Sequence, residues 1–474
     1  MDIAADTPTH ELAPTLETLR QAWLRKRPDL AQRRADLQRL RRAFHARLDE
    51  MARAVSEDFG HRSTHESLIA DGMTVLVEID HMLSHLRRWM RPQRRGVGWR
   101  LWPASAHVHH VPLGVVGVIA PWNYPVNLAI VPLATAIAAG NHVYLKPSEH
   151  TPRTSRFLRD LLRDVFPEDR VAVALGGAEI AGAFSALPFD HLFFTGSTAV
   201  GRKVLAAAAP NLTPVTLELG GKSPALIGED ASMDIVAARL ATGKLLNAGQ
   251  TCIAPDYVLV PRARRDEFVQ ALKREVQSRY ADIQNTPDYT RIVNQSQYER
   301  LRGYLDDARA RGLEVMELVA PSDPAQAQEE RLLPPTVVVE PDEHARVMQE
   351  EIFGPILPVK SYDSFDAAID YINGHDRPLA LYYFGNDRAR AERLLQRTVA
   401  GGVCINETLL HYACSNLPFG GVGASGMGHY HGFEGFLTFT KAMPVLRQAR
   451  FTVADKLKPP YQGLPAKIIG LLLR

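Results

Sequence analysis

The sequence predicts an α/β protein in which helices cover both faces of parallel sheets. Three observations indicate this fold class: short apolar strands alternate with helical stretches, the alternation occurs in two separate regions, and the chain has 474 residues. Parallel strands need a crossover connection, and the helical stretches between the predicted strands supply it. Since domains average roughly 150 residues, two or three domains are expected.

A helical N-terminal part, from about residue 10 to 90, precedes the first alternating region. Five strands are predicted there: VGVIAP (116–121), NHVYLKP (141–147), VAVALG (171–176), HLFFTG (191–196) and PVTLELG (214–220). The stretches between them, such as VNLAIVPLATAIAAG, have the length and apolar content of helices. The basic segment LRRWMRPQRRGVGWR (86–100) interrupts the helical pattern and is predicted to be a surface linker.

The second alternating region begins at SPALIG (223–228). It continues through the helix VAARLATGKLLNAG, the strand DYVLVP and the helix DEFVQALKREVQSRY. The boundary between the two α/β units is therefore predicted near Glu218. Clefts between domains are common places for active sites, so residues near this boundary are candidates for function.

Composition and charge exclude several classes of protein. A net charge of +2 gives no global attraction to nucleic acid or to an anionic membrane. No stretch reaches the roughly 18 apolar residues of a membrane-spanning helix, and the N-terminus lacks the pattern of a signal peptide. Three cysteines without paired spacing fit a reducing compartment, so a cytoplasmic location is expected. The apolar C-terminal AKIIGLLLR is interpreted as a docked tail or an interface contact.

Three short patterns suggest ligands, but only one is supported by its context. GVGASG (421–426) matches the dinucleotide fingerprint, yet loop sequence flanks it where a strand and a helix are required. The histidines of HVHH (107–110) and HYH (429–431) have no partner at ligand spacing, so no metal site is predicted. FFTGSTAVGRKVL (193–205) places a helix N-terminus directly after a strand and a glycine turn, which is typical of an anion site.

Three polar residues in unusual surroundings are candidates for catalysis. Cys252 lies in LNAGQTCIAP (246–255), among small and polar residues rather than on an apolar face. Glu218 ends an apolar strand at the predicted boundary, and Asn123 lies in the rigid loop IAPWNYP (119–125). Each also has an ordinary structural interpretation: a packing thiol, a carboxylate held by local N–H groups, and an Asx turn. The residues alone leave both interpretations open.

Seven motifs together resemble those of the aldehyde dehydrogenase family. In chain order they are PWNYPVNLAIVPLATAIAAGN, KPSEHTP, FTGSTAVG, LELGGKSP, NAGQTCIAPDY, EEIFGP and LPFGGVGASGMG. They extend from about residue 112 to 428 in the family's order, so the resemblance covers nearly the whole chain. The short N-terminal part, the APDY after the cysteine and the FGGVGASGMGHYHG ending are similar to the class 3 branch, and to coniferyl-aldehyde dehydrogenases in particular.

The resemblance implies an aldehyde dehydrogenase fold with a set of residue roles. N-terminal helices and a modified Rossmann NAD-binding domain would occupy 1–217, with about 95–115 in a small β oligomerisation hairpin. An α/β catalytic domain would occupy 218–410, and a return segment with an oligomerisation strand and a C-terminal tail would occupy 411–474. Cys252 would be the nucleophile, Glu218 the base for the deacylating water, and Asn123 an oxyanion-hole donor. The residues implied to hold the cofactor are Lys146, Glu149, Gly196, Ser197, Gly201, Glu351 and Phe353.

The implied reaction is the oxidation of an aldehyde to its acid, through a thiohemiacetal and a thioester on Cys252. NAD is the expected cofactor, with NADP tolerated, and a homodimer is expected. An aromatic or hydrophobic substrate such as coniferyl aldehyde is expected because aromatic side chains are placed at the entrance. The entrance residues are Trp122, Tyr124, His411, Tyr412 and Cys414. The alternatives are medium-chain aliphatic substrates, an acylating dehydrogenase, a thiol esterase without redox chemistry, and a non-catalytic relative.

Overall fold

Three β-sheets organise residues 6–473, the part of the chain that this computed structural model describes. The strands are β1 Gln93–Arg95, β2 Ser105–Pro112, β3 Val115–Ile119, β4 His142–Lys146, β5 Val171–Val173, β6 His191–Thr195, β7 Val215–Glu218, β8 Pro224–Ile227, β9 Tyr257–Pro261, β10 Glu314–Glu317, β11 Thr336–Val339, β12 Ile356–Tyr362, β13 Ala380–Phe384, β14 Gly402–Ile405, β15 Gly426–Met427 and β16 Thr440–Arg447. The helices are α1 Thr9–Arg25, α2 Leu30–His45, α3 Leu48–Phe59, α4 Thr64–Ser67, α5 Thr74–Trp89, α6 Asn127–Ala139, α7 Pro152–Val165, α8 Ala178–Ser185, α9 Thr198–Ala208, α10 Met233–Leu245, α11 Arg265–Arg279, α12 Gln295–Ala310, α13 Pro324–Glu329, α14 Arg346–Gln349, α15 Phe365–Asn373, α16 Arg388–Arg397, α17 Leu410–Ala413, α18 Gly432–Thr438 and α19 Leu464–Leu472.

The six-stranded sheet confirms the first alternating region. Its strand order is β15-β7-β6-β3-β4-β5, and the five predicted strands are all present and parallel. Alternate residues of β3 face opposite cores: Val116 and Val118 pack in the core of α6 and α7, whereas Val115 and Ile119 pack in the core of α1 and α8. A strand that is buried on both faces has a continuous apolar sequence. These apolar runs, bounded by helical stretches, identified the strands in the sequence.

The seven-stranded sheet confirms the second region. Its order is β10-β11-β12-β9-β8-β13-β14, parallel except for the edge strand β10. The predicted strands SPALIG and DYVLVP are β8 and β9. Between them α10 ends at Leu245, and the chain then turns through Leu246–Gly249 and passes Cys252 before it enters β9.

Parallel strands bring several predicted site residues to one edge of the six-stranded sheet. Lys146, Thr195 and Glu218 are the last residues of β4, β6 and β7, and Thr195 pairs directly with Glu218. The carboxyl ends of parallel strands share an edge, where ligands commonly bind in open α/β sheets. Segments far apart in the sequence therefore converge there.

The prediction of a surface linker at 86–100 is wrong in part. Helix α5 continues to Trp89, and Gln93–Arg95 forms β1, which pairs antiparallel with β2 in a three-stranded sheet completed by β16. The strand QRR has no hydrophobic pattern, so only its pairing with β2 defines it as a strand. The sheet contains part of the hairpin expected at about 95–115.

The C-terminal segment does not dock on the body of the chain. It forms α19, which contacts the short turn at Val453–Lys456, while Leu464 and Leu471 are 58% and 65% exposed. The docked-tail interpretation is therefore wrong for the single chain, and an interface contact stays a prediction. Within residues 6–473, none of the helices combines the length and the apolar character needed to cross a membrane.

Candidate active site

Cys252 follows a tight turn that connects α10 to β9. The residues 247–249 all have positive φ, at 54°, 51° and 75°. Positive φ is unfavourable for residues other than glycine, so the turn needs other contacts to hold it. The side-chain amide of Asn247 donates to the carbonyls of Asn123 and Gln250 at 3.0 and 3.1 Å. The Gln250 side chain donates back to the carbonyl of Asn247 at 2.9 Å.

The Cys252 thiol is in its neutral form at neutral pH in this environment. Its pKa is raised to about 12, first by burial and then by the negative charges of Glu351 and Glu218. The backbone N–H groups of Cys252 and Ile253 act in the opposite direction and lower the pKa. Because the thiolate is the nucleophilic form, the proton must pass to a nearby base before the sulfur can attack.

Glu218 provides a buried carboxyl group at the end of β7. The residue is only 2% exposed, and neither side-chain oxygen has a hydrogen-bond partner among the described residues. Burial raises the pKa of Glu218 well above its ordinary value of 4.5. The structural interpretation, a carboxylate satisfied by local N–H groups, is therefore not what the structure shows. An unpaired buried carboxyl that also acts electrostatically on a thiol is suited to proton transfer.

Asn123 connects its loop to the Cys252 turn. Its side-chain Nδ2 donates to the carbonyl of Gln250 at 3.1 Å, and the Tyr124 hydroxyl lies 2.7 Å from Thr251 Oγ1. An amide nitrogen carries two protons, so the second proton of Asn123 Nδ2 is left for another acceptor. The ordinary Asx-turn interpretation does not account for this contact across the two loops.

Glu351 and Phe353 lie in the loop that precedes β12. The Glu351 carboxyl group lies directly against Gly220, where a Cβ atom would come within 2.3 Å of both carboxyl oxygens. Burial and the charge of Asp256 raise the pKa of Glu351 to about 8, and its Oε1 has no hydrogen-bond partner within residues 6–473. Phe353 packs edge-on against Trp122, with 5.3 Å between the ring centroids. These residues thus bring a second buried carboxyl and an aromatic wall close to the Asn123 loop.

Lys146 and Glu149 form an ion pair at the end of β4. Lys146 is almost fully buried, and its Nζ donates to Glu149 Oε2 at 2.9 Å and to the carbonyl of Pro147 at 3.1 Å. Burial would raise the pKa of Glu149, but the hydrogen bond and charge of Lys146 outweigh it, so the pKa lies below 4.5. Glu149 is therefore an ionised acceptor at the surface of the sheet edge.

The helix N-terminus predicted as an anion site is present. Gly196 turns the chain between β6 and α9, and Ser197 Oγ accepts a hydrogen bond from the N–H of Val200 at 3.4 Å. Gly201 allows α9 to approach the next strand, since a Cβ there would lie 2.7 Å from the Leu219 side chain. The positive end of α9 thus lies at the same sheet edge as Lys146.

Tyr412 is a predicted entrance residue that interacts electrostatically with Cys252. Its hydroxyl accepts a hydrogen bond from Asn127 Nδ2 at 2.9 Å, and its ring packs edge-on against Phe419 at 4.9 Å. Burial raises the pKa of Tyr412, and the charge of Cys252 adds to the effect, so the phenol lies within electrostatic range of the thiol.

Three other predicted entrance residues, Tyr124, His411 and Cys414, differ in their surroundings. The Tyr124 side chain is buried and bonded to Thr251, and the His411 ring packs against Tyr382 with 6.0 Å between centroids. Cys414 is exposed. Among the predicted aromatic entrance residues, Trp122 contacts Phe353 and Tyr412 contacts Phe419.

The GVGASG segment lacks the strand before it and the helix directly after it that a dinucleotide fingerprint requires. It is a turn that ends on the first residue of β15 and lies next to α9, where Thr198 Oγ1 donates to the carbonyl of Ala424 at 2.9 Å. No group of three or more His, Cys, Asp or Glu side chains within residues 6–473 could hold a metal ion.

Sequence reasoning missed two buried cations near the site, Lys244 and Arg62. Lys244 lies near the end of α10 with 3% exposure, and its Nζ has no hydrogen-bond partner in the part of the chain that the structure describes. Burial lowers the pKa of Lys244 to about 8, although the charges of Asp256 and Glu351 oppose the shift. A lysine inside the apolar helix VAARLATGKLL was the available signal. Arg62 had none, because the loop carbonyl that it binds, that of Asn123, is 61 residues away in the sequence.

A sequence model of the aldehyde dehydrogenase family matches residues 18–445. A probable coniferyl aldehyde dehydrogenase of Pseudomonas aeruginosa is 52% identical over 442 residues, which cover 93% of this chain and 92% of the relative. A second probable coniferyl aldehyde dehydrogenase, of Caulobacter vibrioides, is 45% identical and covers 99% of this chain and 98% of the relative.

Solved structures agree with the sequence match. Staphylococcus aureus AldH in a substrate-bound state superimposes with a TM-score of 0.92 at 36% identity, over 97% of this chain and 99% of that one. Mycobacterium tuberculosis aldehyde dehydrogenase complexed with NAD+ gives a TM-score of 0.85 at 28% identity, over 95% of this chain and 92% of that one. Both by sequence and by fold, the chain belongs to the aldehyde dehydrogenase family.

Proposed function

We propose that the chain oxidises aromatic aldehydes of the coniferyl type to their acids, with NAD as the oxidant. The observation that carries the proposal is the convergence of a thiol, an amide donor and an unpaired buried carboxyl: Cys252, Asn123 and Glu218. Two relatives that cover more than nine-tenths of this chain bear the name coniferyl aldehyde dehydrogenase, which supports the substrate class.

The first half of the reaction takes place at Cys252. The sulfur bonds to the aldehyde carbon as its proton leaves to a base, and the carbonyl oxygen becomes an oxyanion. Asn123 Nδ2 and the backbone N–H of Cys252 donate to that oxyanion. A nicotinamide, when bound, supplies the acceptor for the hydride of this carbon. Loss of the hydride leaves a thioester on Cys252.

The second half of the reaction depends on Glu218. Cys252 is acylated at this stage, so a separate base must activate the water that attacks the thioester. Glu218 accepts a proton from that water, the C–S bond breaks, and the carboxylic acid leaves. Because burial raises the pKa of Glu218, its carboxylate is a stronger base than an ordinary carboxylate once it is ionised.

The chain offers donors and acceptors that fit a dinucleotide at the carboxyl edge of the six-stranded sheet. The Oε1 atom of Glu351 is buried without a partner, which suits an acceptor for the nicotinamide-side ribose. The N-terminus of α9, with Gly196, Ser197 and Gly201, suits the pyrophosphate. Lys146 and Glu149 suit the adenosine ribose.

Cofactor choice is expected to depend on Glu149. Its carboxylate can accept hydrogen bonds from both ribose hydroxyls but repels a 2′-phosphate, so NAD is preferred and NADP is tolerated through Lys146. Glu149→Gln should lower the NAD to NADP ratio of kcat/KM by about tenfold, since roughly 1.4 kcal/mol of discrimination is removed. Glu179→Gln, at an exposed position of α8, is the control and should leave the ratio unchanged. A ratio that favours NADP in the native protein would contradict the assignment.

We expect the substrate class to follow the aromatic side chains Trp122, Phe353 and Tyr412. Flat aromatic aldehydes gain from stacking and from burial, whereas acetaldehyde gains little from either. The kcat/KM for coniferaldehyde or benzaldehyde should therefore exceed that for acetaldehyde by at least about tenfold. Hexanal tests the alternative, a medium-chain aliphatic specificity, because an apolar pocket admits it too. A kcat/KM for hexanal above the values for both aromatic compounds would favour that alternative.

Other assignments complete the proposal. A thiol esterase would need none of the residues assigned to the cofactor. Formation of reduced nicotinamide in proportion to the acid would exclude a thiol esterase.

The regions 1–217, 218–410 and 411–474 are proposed as the cofactor, catalytic and return segments, and a homodimer is proposed to form through the β1-β2-β16 sheet. A cytoplasmic location is proposed because all three cysteines are unpaired.

A further inference from the structure

A buried ion pair lies beneath the Asn123 loop and takes no part in the chemistry described above. Arg62 and Asp71 are 1% and 0% exposed, and Arg62 Nη2 lies 3.2 Å from Asp71 Oδ2. Both belong to the helical N-terminal part, which packs against the six-stranded sheet. Taking two charges out of water costs about as much as their attraction returns, so stability alone gives no reason for the pair.

Both partners hold the backbone of the Asn123 loop. Arg62 Nη1 donates to the carbonyl of Asn123 at 3.0 Å. Asp71 Oδ1 accepts from the N–H groups of Val126 and Asn127 at 3.2 and 2.9 Å. The pair therefore holds the loop at Asn123 itself and at Val126 and Asn127, which follow it in the chain.

The same arginine connects this loop to the nucleophile turn. Its guanidinium lies 4.9 Å from the ring centroid of Tyr124, whose hydroxyl lies 2.7 Å from Thr251 Oγ1. The Asn123 carbonyl that accepts from Arg62 also accepts from the amide of Asn247. The carbonyl of Asn123 is thus held both by Arg62 of the ion pair and by Asn247 of the turn that leads to Cys252.

A π-helical turn over Leu68–Met73 places Asp71 within this arrangement. It lies between α4 and α5, next to the Asn123 loop. A π-helical turn contains one residue more than an α-helical turn. Such turns occur mostly as single insertions and are frequent at functional sites.

We propose that the Arg62–Asp71 pair positions the oxyanion hole, by holding the Asn123 loop against the Cys252 turn so that the free Nδ2 proton faces the reacting oxygen. The inference rests on the proposed role of Asn123. Arg62 and Asp71 are positioning residues, because they contact the loop and not the substrate. A displacement of about 1 Å at such a donor can lower a rate about 10²-fold.

Arg62→Lys tests the proposal, because it keeps the charge opposite Asp71 but loses the guanidinium that bridges two acceptors. Two rates are measured: hydride transfer in the first turnover with aldehyde and NAD, and alkylation of Cys252 by iodoacetamide, identified by peptide mass. Alkylation develops no oxyanion, so only hydride transfer needs the hole. Hydride transfer should fall about 10²-fold in Arg62→Lys, while alkylation stays within about threefold of native.

Arg170→Lys is the matched control. Arg170 also bridges a buried aspartate and a backbone carbonyl, donating to Asp36 Oδ2 at 3.0 Å and to the carbonyl of Asn141 at 2.8 Å. Asn141 precedes β4, so this pair lies at the edge of the sheet opposite the site. The control should leave both rates near native values. Should Arg62→Lys fail to fold, Asp71→Asn replaces it, since an amide oxygen can still accept from the loop, and it should slow hydride transfer selectively.

Each outcome separates this inference from the proposed function. Slow hydride transfer with normal alkylation in Arg62→Lys, but not in Arg170→Lys, supports the positioning role. An equal fall of both rates, or the same fall in the control, overturns it, because the effect would then be structural. Normal hydride transfer in Arg62→Lys while Asn123→Ala is slow overturns the inference alone. Normal hydride transfer in Asn123→Ala removes the proposed oxyanion role and the inference with it.

Discussion

Replacing Cys252 by alanine is expected to abolish aldehyde oxidation while NAD still binds. The thiol forms the only covalent bond to the substrate in the proposed reaction, and alanine offers no nucleophile in its place. We expect kcat to fall by about 10⁴-fold or more, measured as the formation of reduced nicotinamide. The Kd for NAD, measured by fluorescence titration, should remain near the native value because no assigned cofactor residue is changed.

The other two cysteines are the controls for this prediction. Cys404 lies in β14 and Cys414 is exposed after α17, and the proposed reaction gives a role to neither of them. Cys404→Ala and Cys414→Ala should each retain turnover within about threefold of native, as expected of positions away from the reacting atoms. Near-native turnover in Cys252→Ala would contradict the covalent route.

Replacing Glu218 by glutamine is expected to separate the two halves of the reaction. Hydride transfer should still give a burst of reduced nicotinamide of up to one equivalent per site, because Cys252 and Asn123 are intact. The steady-state rate that follows should be about 10²- to 10⁴-fold below native, since the deacylating water has lost its base. Stopped-flow absorbance of the reduced nicotinamide measures both phases in one experiment.

The pH dependence gives an independent check on Glu218. A base must be ionised to act, and burial raises the pKa of Glu218. The native deacylation rate should therefore rise with pH over a range well above 4.5, and Glu218→Gln should lose this rise. Loss of the burst together with turnover would instead assign Glu218 to the deprotonation of Cys252, whose pKa of about 12 also requires a base.

The parts of the fold with a strong hydrophobic pattern could be predicted from the sequence. The strands β3, β4 and β6 are buried throughout, and their apolar runs alternate with helices of ordinary length. The strands β1 and β15 could not be predicted in this way. They are three and two residues long and carry no pattern of their own, because pairing with a distant strand defines each of them.

The residues of the candidate site also differ in whether a local sequence pattern could identify them. Cys252, Glu218 and Asn123 lie in short motifs whose composition is unusual for core or surface, so each could be selected before the structure was known. Arg62 could not be selected, because its role comes from contacts with Asp71 and with the Asn123 carbonyl across 61 residues of chain. Buried charges that act through the backbone of another segment leave no local pattern. The inward orientation of Tyr124 was missed for the same reason.

The central claim is that Cys252 carries the acyl group between the two halves of the reaction. The most direct test mixes Glu218→Gln with coniferaldehyde and NAD, quenches the mixture in acid within the burst, and measures the mass of the peptide that contains Cys252. The account predicts an adduct on Cys252 equal to the aldehyde less two hydrogen atoms, in the same amount as the reduced nicotinamide formed. An adduct on another residue, or reduced nicotinamide formed without any adduct on Cys252, would contradict it.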